Sequence, residues 1–327
     1  MTNLAIFCHL GNYKLWPYLK FYINNVLATG FPTDIYVSYQ TNSPILNQII
    51  TMYPNVILIH SLLGCDIGGQ LLMTHYAFIN QKKYDYVLKI HTKTNSIWRR
   101  ELLDPIANSK ELVTDIINIF NNNPTIGLIA ALKWKLKLDA LNHPLLSNIC
   151  QRLKLSYDPS HSFIGGTIYW FRWDIMLSFI NINNINLLYE YNLLEPGYHI
   201  NDHPTFTHSW ERIFSIIIQH FNYTIYGVIM PSTITLLPPD FNWQFYLICH
   251  PQLAKQNYSE STALDHWIDY GRFHSSPYRL KDIGLSSFNW SSYLSRYPDL
   301  VSSGINNYDQ AIKHFAIYGR LEGRICT

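Results

Sequence analysis

The feature that most constrains this chain is the alternation, from Leu4 to Ala130, of short apolar runs with stretches of helical periodicity. Leu4 to His9 has the length and apolar character of a strand, and Trp16 to Ala28 repeats its apolar residues (Trp16, Leu19, Tyr22, Ile23, Val26) at helical spacing. The same reading predicts strands at Asp34 to Ser38, Asn55 to His60, Tyr86 to His91 and Ile126 to Ala130. It predicts helices at Ile45 to Met52, Gly69 to Gln81 and Glu101 to Asn121. Strands separated by helices of this length form βαβ units, so a Rossmann-like α/β fold with a mostly parallel central sheet is expected. Ligands of such sheets bind beyond the carboxyl ends of the strands. The loops after His9, Ser38, His60 and His91 are therefore where a site belongs. From Phe163 the pattern changes: a single strand over Phe163 to Phe171 contains Gly165-Gly166. Helices follow at Asp174 to Ile182 and Ser209 to His220, and a late strand at Tyr223 to Val228.

Pro238-Pro239 marks a boundary, and an internal repeat begins after it. Phe241-Asn-Trp-Gln-Phe-Tyr-Leu, His266 and Tyr270-Gly-Arg272 recur as Phe288-Asn-Trp-Ser-Ser-Tyr-Leu, His314 and Tyr318-Gly-Arg320, 47 to 48 residues on. Each copy reads as two short helices joined by a Pro-containing turn. Two domains are expected: 1–236, and a small α-helical repeat module at 237–327. The aromatic residues of the repeats read as their core, with glycan stacking as the second reading.

Composition excludes several classes. The net charge of +2, with charged residues at 14%, offers no basic field for nucleic acid. The 5 cysteines are scattered without a Cys-x-x-Cys pair, which argues against a disulfide framework or zinc site and for a soluble protein of the reducing cytoplasm. No apolar run reaches the roughly 18 residues of a membrane span. The N-terminus reads as a first strand, not a signal peptide.

The chemistry concentrates in Gly64 to Lys93. A polar loop (Gly64, Cys65, Asp66) opens a helix, which leads to an apolar strand ending in His91-Thr92-Lys93. A plain helix cap is the competing role for Asp66, a solvated strand end for His91 and Lys93, and a corner of the core for His9. The segment resembles the rhamnan synthesis protein F family of glycosyltransferases. The resemblance rests on Gly64-Cys65-Asp66-Ile67-Gly68, on Tyr84 to Lys93, and on Trp98, Arg99, Leu102, Leu103 and Asp104. It continues through Asn123 to Leu128, through Gly166, Thr167, Tyr169, Trp170 and Arg172, and through His208, Glu211 and Arg212, covering roughly Leu4 to Val228. Cys65 stands where the family usually has arginine. The C-terminal units are similar to repeats often attached to such enzymes.

The resemblance implies an A-type glycosyltransferase fold. It implies transfer of a sugar, rhamnose or a similar deoxyhexose, from a nucleoside-diphosphate donor to a glycan acceptor in polysaccharide or glycoprotein glycan synthesis. Inverting chemistry then needs a carboxylate base on the acceptor hydroxyl, for which Glu211 is the first candidate and Asp202 the second. Donor contacts are expected from His9, Asp66, Lys89, His91, Thr92 and Lys93. An acceptor or sugar pocket is expected from Trp98, Arg99, Gly165, Gly166, Thr167, His208 and Arg212. Where A-type transferases usually carry a metal-binding Asp-x-Asp, this strand ends in His91-Thr92-Lys93. Lys93 and His91 are expected to meet the diphosphate directly, with no required cofactor and with Mg or Mn the less favoured option. Two rival readings stand: a non-catalytic sugar- or nucleotide-binding protein of transferase-like fold, and an interaction scaffold whose module at 237–327 binds a partner or a second copy.

Overall fold

The computed structural model describes residues 2–138, 143–197, 204–230, 236–256 and 258–326. The chain divides into two compact units, Met1–Pro231 and Ser232–Thr327.

In the first unit the alternation becomes β1 (Leu4–Leu10), α1 (Trp16–Leu27), β2 (Thr33–Tyr39), α2 (Ile45–Met52), β3 (Ile57–His60), α3 (Cys65–Ile79) and β4 (Tyr86–His91). Next come α4 (Ser96–Ala107), α5 (Lys110–Asn122), β5 (Ile126–Ala131), β6 (Lys135–Lys137), α6 (His143–Arg152), β7 (Ser162–Ile164) and β8 (Tyr169–Arg172). The unit ends with α7 (Trp173–Asn183), α8 (Leu187–Asn192), α9 (Phe206–His220) and β9 (Thr224–Val228). Seven strands form one sheet in the order β3-β2-β1-β4-β8-β5-β9. Only β8 runs antiparallel to its neighbours, so the mixed α/β, mostly parallel sheet that the periodicity demands is present. Strand residues alternate between two cores. Ala5, Phe7, Val87, Leu128 and Phe171 face the layer built by α3, α6, α7 and α9, while α1, α4 and α5 pack on one another as a second layer.

Three expectations need correction. The apolar run Phe163 to Phe171 is not one strand: β7 pairs with β6 in a separate two-stranded sheet, and β8 enters the main sheet after a turn. Gly166 (φ +84°) and Thr167 (φ +49°) both take the left-handed conformation there, which no strand tolerates. The stretch Glu101 to Asn121 is two helices, because Ser109 caps a new one, accepting a hydrogen bond from the Leu112 amide at 3.2 Å. The third helix starts at Cys65, four residues before Gly69. Gly68 and Gly69 belong inside it because a Cβ at either would collide with the Leu63 carbonyl or the Ser38 hydroxyl. Close tertiary approach outweighs the roughly 1 kcal/mol that each glycine costs a helix.

In the second unit, α10 (Trp243–Cys249), α11 (Pro251–Ala254) and α12 (Glu260–Asp269) precede α13 (Trp290–Arg296), α14 (Pro298–Ser302) and α15 (Tyr308–His314). Tyr246, Leu253, Ala263, Trp267 and Tyr278 form one core, and Tyr293, Leu300, Ala311 and Phe315 belong to another. Tyr246 Oη bonds His266 Nδ1 at 2.6 Å, and Tyr293 Oη bonds His314 Nδ1 at 2.9 Å. Among the described residues, no helix is long and apolar enough to cross a membrane.

Candidate active site

The parallel strands bring their carboxyl ends to one edge, where His9 stands level with Ser38 on β2 and with His91 on β4. The antiparallel β8 begins at that same edge, opposite Lys89. The Gly165-Gly166-Thr167 turn is thereby delivered onto the end of β4. Helix α3 starts above it, with Gly64 (φ +64°) and Cys65 (φ +50°) forming a second left-handed turn.

Asp66 joins the two turns. Its carboxylate accepts from the Lys89 ammonium and from Thr167 Oγ1 at 2.6 Å, and lies 3.6 Å from His91 Nε2. Lys89 is fully buried and also donates to Thr167 Oγ1 at 2.8 Å. Burial pushes the Asp66 carboxyl up, but the facing His91, Lys89 and Lys93 outweigh it and hold the group well below the ordinary carboxylate range. Holding a β-branched residue at positive φ costs of the order of 1–3 kcal/mol. The two hydrogen bonds on the Thr167 hydroxyl lock that conformation in place.

His91 sits beneath the pocket, buried, with Nε2 2.7 Å from the Gly166 carbonyl. Burial depresses its pKa well below the usual imidazole range, against the pull of Asp66. His9 is buried beside it, its Nδ1 2.9 Å from Ser38 Oγ and its Nε2 without a hydrogen-bond partner among the described residues. Burial lowers its pKa from 6.5 to about 4. Since the folded value lies below the unfolded one, the unfolded chain takes the proton first. His9 therefore stabilises the fold fully above pH 6.5, and that contribution drains away as the pH falls toward 4, by about 3 kcal/mol. Urea midpoints measured from pH 7.5 to 4.5 are expected to fall steeply, and less steeply in His9→Gln. An identical pH profile in that variant counts against this assignment.

A pocket opens above this network. Cys65, Asp66, Ile67, Lys93, Trp98, Thr167, Gly197, Thr207, His208 and Glu211 line it. Its volume of about 140 Å³ is below the roughly 300 Å³ at which whole-ligand sites begin, so among the described residues it is too small to enclose an entire nucleotide sugar. Glu211 reaches in from α9. Its Oε1 accepts the Gly166 amide at 2.8 Å, and its Oε2 accepts from Arg212 at 3.1 Å. Lys93 Nζ lies 3.9 Å over the Trp98 ring, and Trp98 in turn meets Trp134 at 5.2 Å between centroids. His208 is fixed by Thr205, the cap of α9, whose Oγ1 lies 2.7 Å from Nδ1.

The pocket thus gathers Asp66, Lys93, Trp98, Thr167, His208 and Glu211 from the candidates named above. The others lie around it. His9, Lys89 and His91 are below. Thr92 Oγ1 accepts the amides of Gly11 and Asn12 at 3.2 and 3.1 Å, tying the loops after β1 and β4 together. Arg99 lies over the Tyr18 ring and donates to the Lys93 carbonyl at 2.8 Å, which sets the course of the Lys93 backbone. Gly165 packs under Leu136, and Arg212 lies over Phe163 while donating to the His208 carbonyl at 2.7 Å. Asp202 falls outside the described residues. Three contributors escape sequence reasoning: Gly197 and Thr207, which line the pocket, and Glu195, whose carboxylate takes the Phe206 and Thr207 amides at 2.7 and 3.0 Å and the Thr207 hydroxyl at 2.7 Å. No local pattern signals this contact.

The donor set at the end of β4 does not fit a divalent cation. Its carboxylate is claimed by a buried ammonium, one imidazole nitrogen faces a carbonyl, and the outermost group is itself a cation. Among the described residues, no three His, Cys, Asp or Glu side chains converge as a metal site.

The chain matches the family described as rhamnan synthesis protein F over residues 28–223. No curated protein matches it in sequence. Among solved structures it is similar to S. aureus TarS 1–349 in complex with UDP, at 12% identity and TM-score 0.34, over 99% of this chain and 83% of that one. It is also similar to the mannosyltransferase PcManGT of Pyrobaculum calidifontis in complex with GDP-Man and Mn2+, at 10% identity and TM-score 0.35, over 99% and 88%. A third is the bifunctional glycosyltransferase WbbM in its apo form, at 13% identity and TM-score 0.33, over 85% and 45%.

Proposed function

Because the chain belongs to the rhamnan synthesis protein F family of glycosyltransferases, we propose that it moves a sugar, with rhamnose or a similar deoxyhexose favoured, from a nucleoside-diphosphate donor to a glycan acceptor, with inversion. The observation that carries this reading is the position of Glu211, a carboxylate held on two sides at the mouth of a pocket that also presents a cation. Each Glu211 oxygen accepts one hydrogen bond and keeps a lone pair free. Glu211 takes the proton from the acceptor hydroxyl as that oxygen bonds to the anomeric carbon. The bond from the anomeric carbon to the diphosphate breaks, and its electron pair leaves with the nucleoside diphosphate. Lys93 supplies a fixed positive charge toward the leaving group. Asp66, Lys89 and His91 act from beneath, holding the Gly166-Thr167 turn that positions Glu211. The five free cysteines fit a reducing, cytoplasmic compartment.

A panel of nucleoside-diphosphate sugars tests the reading. Turnover of one of them is expected to persist in excess EDTA, since the strand end suits a fixed cation better than a bound one. Complete loss in EDTA with rescue by Mn2+ would overturn metal independence. Absence of both turnover and donor-induced thermal stabilisation across the panel would overturn the transferase reading.

A further inference from the structure

The second unit contains the same cleft twice, with its charge reversed. In the first copy Thr262, Asp265, His266 and Asp269 lie on one face of α12, at spacings of three and four residues, and line a cleft with Tyr258 and Tyr270. In the second copy the equivalent positions, 48 residues on, are Gln310, Lys313, His314, Ile317 and Tyr318. They line a cleft of about 570 Å³, joined there by Lys255.

What is constant between the clefts is the histidine and the tyrosine that follows it. Each imidazole is tied through Nδ1 to a tyrosine hydroxyl. Nε2 is the ring nitrogen outside that bond, and burial depresses both imidazoles toward the neutral form. A neutral ring donates at one nitrogen and accepts at the other, so Nε2 can meet a hydroxyl in the role that Nδ1 does not take. Tyr318 is 56% exposed, and the core has no use for its ring. What differs is the electrostatics. The first cleft offers two carboxylates. The second offers Lys255 and Lys313, neither of which pairs with an acid among the described residues. An open aromatic face beside an amide, an imidazole and two ammonium groups matches a pyranose that carries an anion. The ring's C–H face covers tyrosine, the hydroxyls meet the amide and imidazole, and the charge meets lysine. A free anion would use the lysines alone.

We propose that the second-copy cleft, lined by Lys255, Gln310, Lys313, His314 and Tyr318, binds an acidic saccharide, bearing carboxylate or phosphate on the sugar. The first-copy cleft has the same frame and rejects that ligand through Asp265 and Asp269. Binding here requires no turnover, so it stands or falls separately from the transferase reading.

Titration calorimetry on the full-length chain decides it, with trigalacturonate and glucose 6-phosphate as the two acidic probes and maltotriose and inorganic phosphate as controls. At least one acidic probe is expected to bind with one-to-one stoichiometry, at least tenfold more tightly than either control. The exposed double variant Lys255→Glu/Lys313→Glu is expected to weaken it about tenfold or more, with an unchanged circular dichroism spectrum. Asp265→Asn/Asp269→Asn is expected to leave it intact. Which acidic probe binds distinguishes a uronate from a sugar phosphate. The proposal is overturned if neither acidic probe binds, if maltotriose or phosphate binds equally well, or if the lysine variant binds as tightly as the parent.

Discussion

Glu211→Gln is expected to lower kcat for sugar transfer by roughly 10²–10⁴-fold, the contribution typical of a positioned general base. The substitution suits the question because the amide oxygen still accepts the Gly166 amide that Oε1 accepts at 2.8 Å. The turn beneath is retained, while basicity is lost together with the hydrogen bond that Oε2 accepts from Arg212, which the amide nitrogen cannot accept. The donor dissociation constant should therefore stay close to the parent's while kcat collapses, and the stability measured in urea should fall by no more than the one lost charge-assisted hydrogen bond, about 1.5–3 kcal/mol. Activity within a factor of about three of the parent would remove Glu211 as the base. The role would then pass to a carboxylate outside the described residues, of which Asp202 is the candidate already named.

The second large effect concerns stability. Asp66→Ala leaves the Lys89 ammonium, with no exposed surface, facing only a hydroxyl. Breaking a buried ion pair from one side costs about 3–5 kcal/mol, because the remaining charge stays desolvated. Lys89→Met should cost less, since the Asp66 side chain remains 18% exposed and keeps its hydrogen bond from Thr167. The double variant Asp66→Ala/Lys89→Met should recover most of the loss, because no uncompensated charge is left. Urea unfolding of the four proteins measures the coupling. If the double variant loses the sum of the single losses, the pair is not acting as a unit. The same cycle read on kcat tests the positioning role. Asp66→Ala/Lys89→Met should fold yet transfer poorly, because the Thr167 hydroxyl no longer has the two groups that hold it at positive φ.

Much of the architecture was open to sequence reasoning because burial on a single element is a local property. The apolar residues of Trp16 to Ala28 and the mostly apolar run Tyr86 to Ile90 declare helix and strand without reference to the rest of the chain. Alternating such elements permits little besides a parallel sheet. The general position of the candidate site followed, because the carboxyl ends of parallel strands are where ligands bind. The repeat was legible for a different reason, since identity at a fixed period needs no structural knowledge.

The tertiary structure alone decided which polar groups face the pocket. Lys89 and His91 sit on the strand that the sequence singles out, and yet they lie below the pocket as buried partners of Asp66 and Gly166. Strand periodicity places a side chain on one face or the other, but it cannot tell a ligand contact from an internal ion pair. The contacts that settle this span 101 residues from Asp66 to Thr167, 75 from His91 to Gly166 and 45 from Gly166 to Glu211. They depend on β8 entering the sheet antiparallel between β4 and β5, after a left-handed turn at Gly166-Thr167. Strand direction leaves no mark on the hydrophobic pattern, because a run of buried residues reads the same from either end. The strand ending in His91-Thr92-Lys93 leads to the candidate pocket. The fold brings Lys93, just past its end, and Glu211, from a distant helix, to the same pocket as Asp66, Trp98, Thr167 and His208.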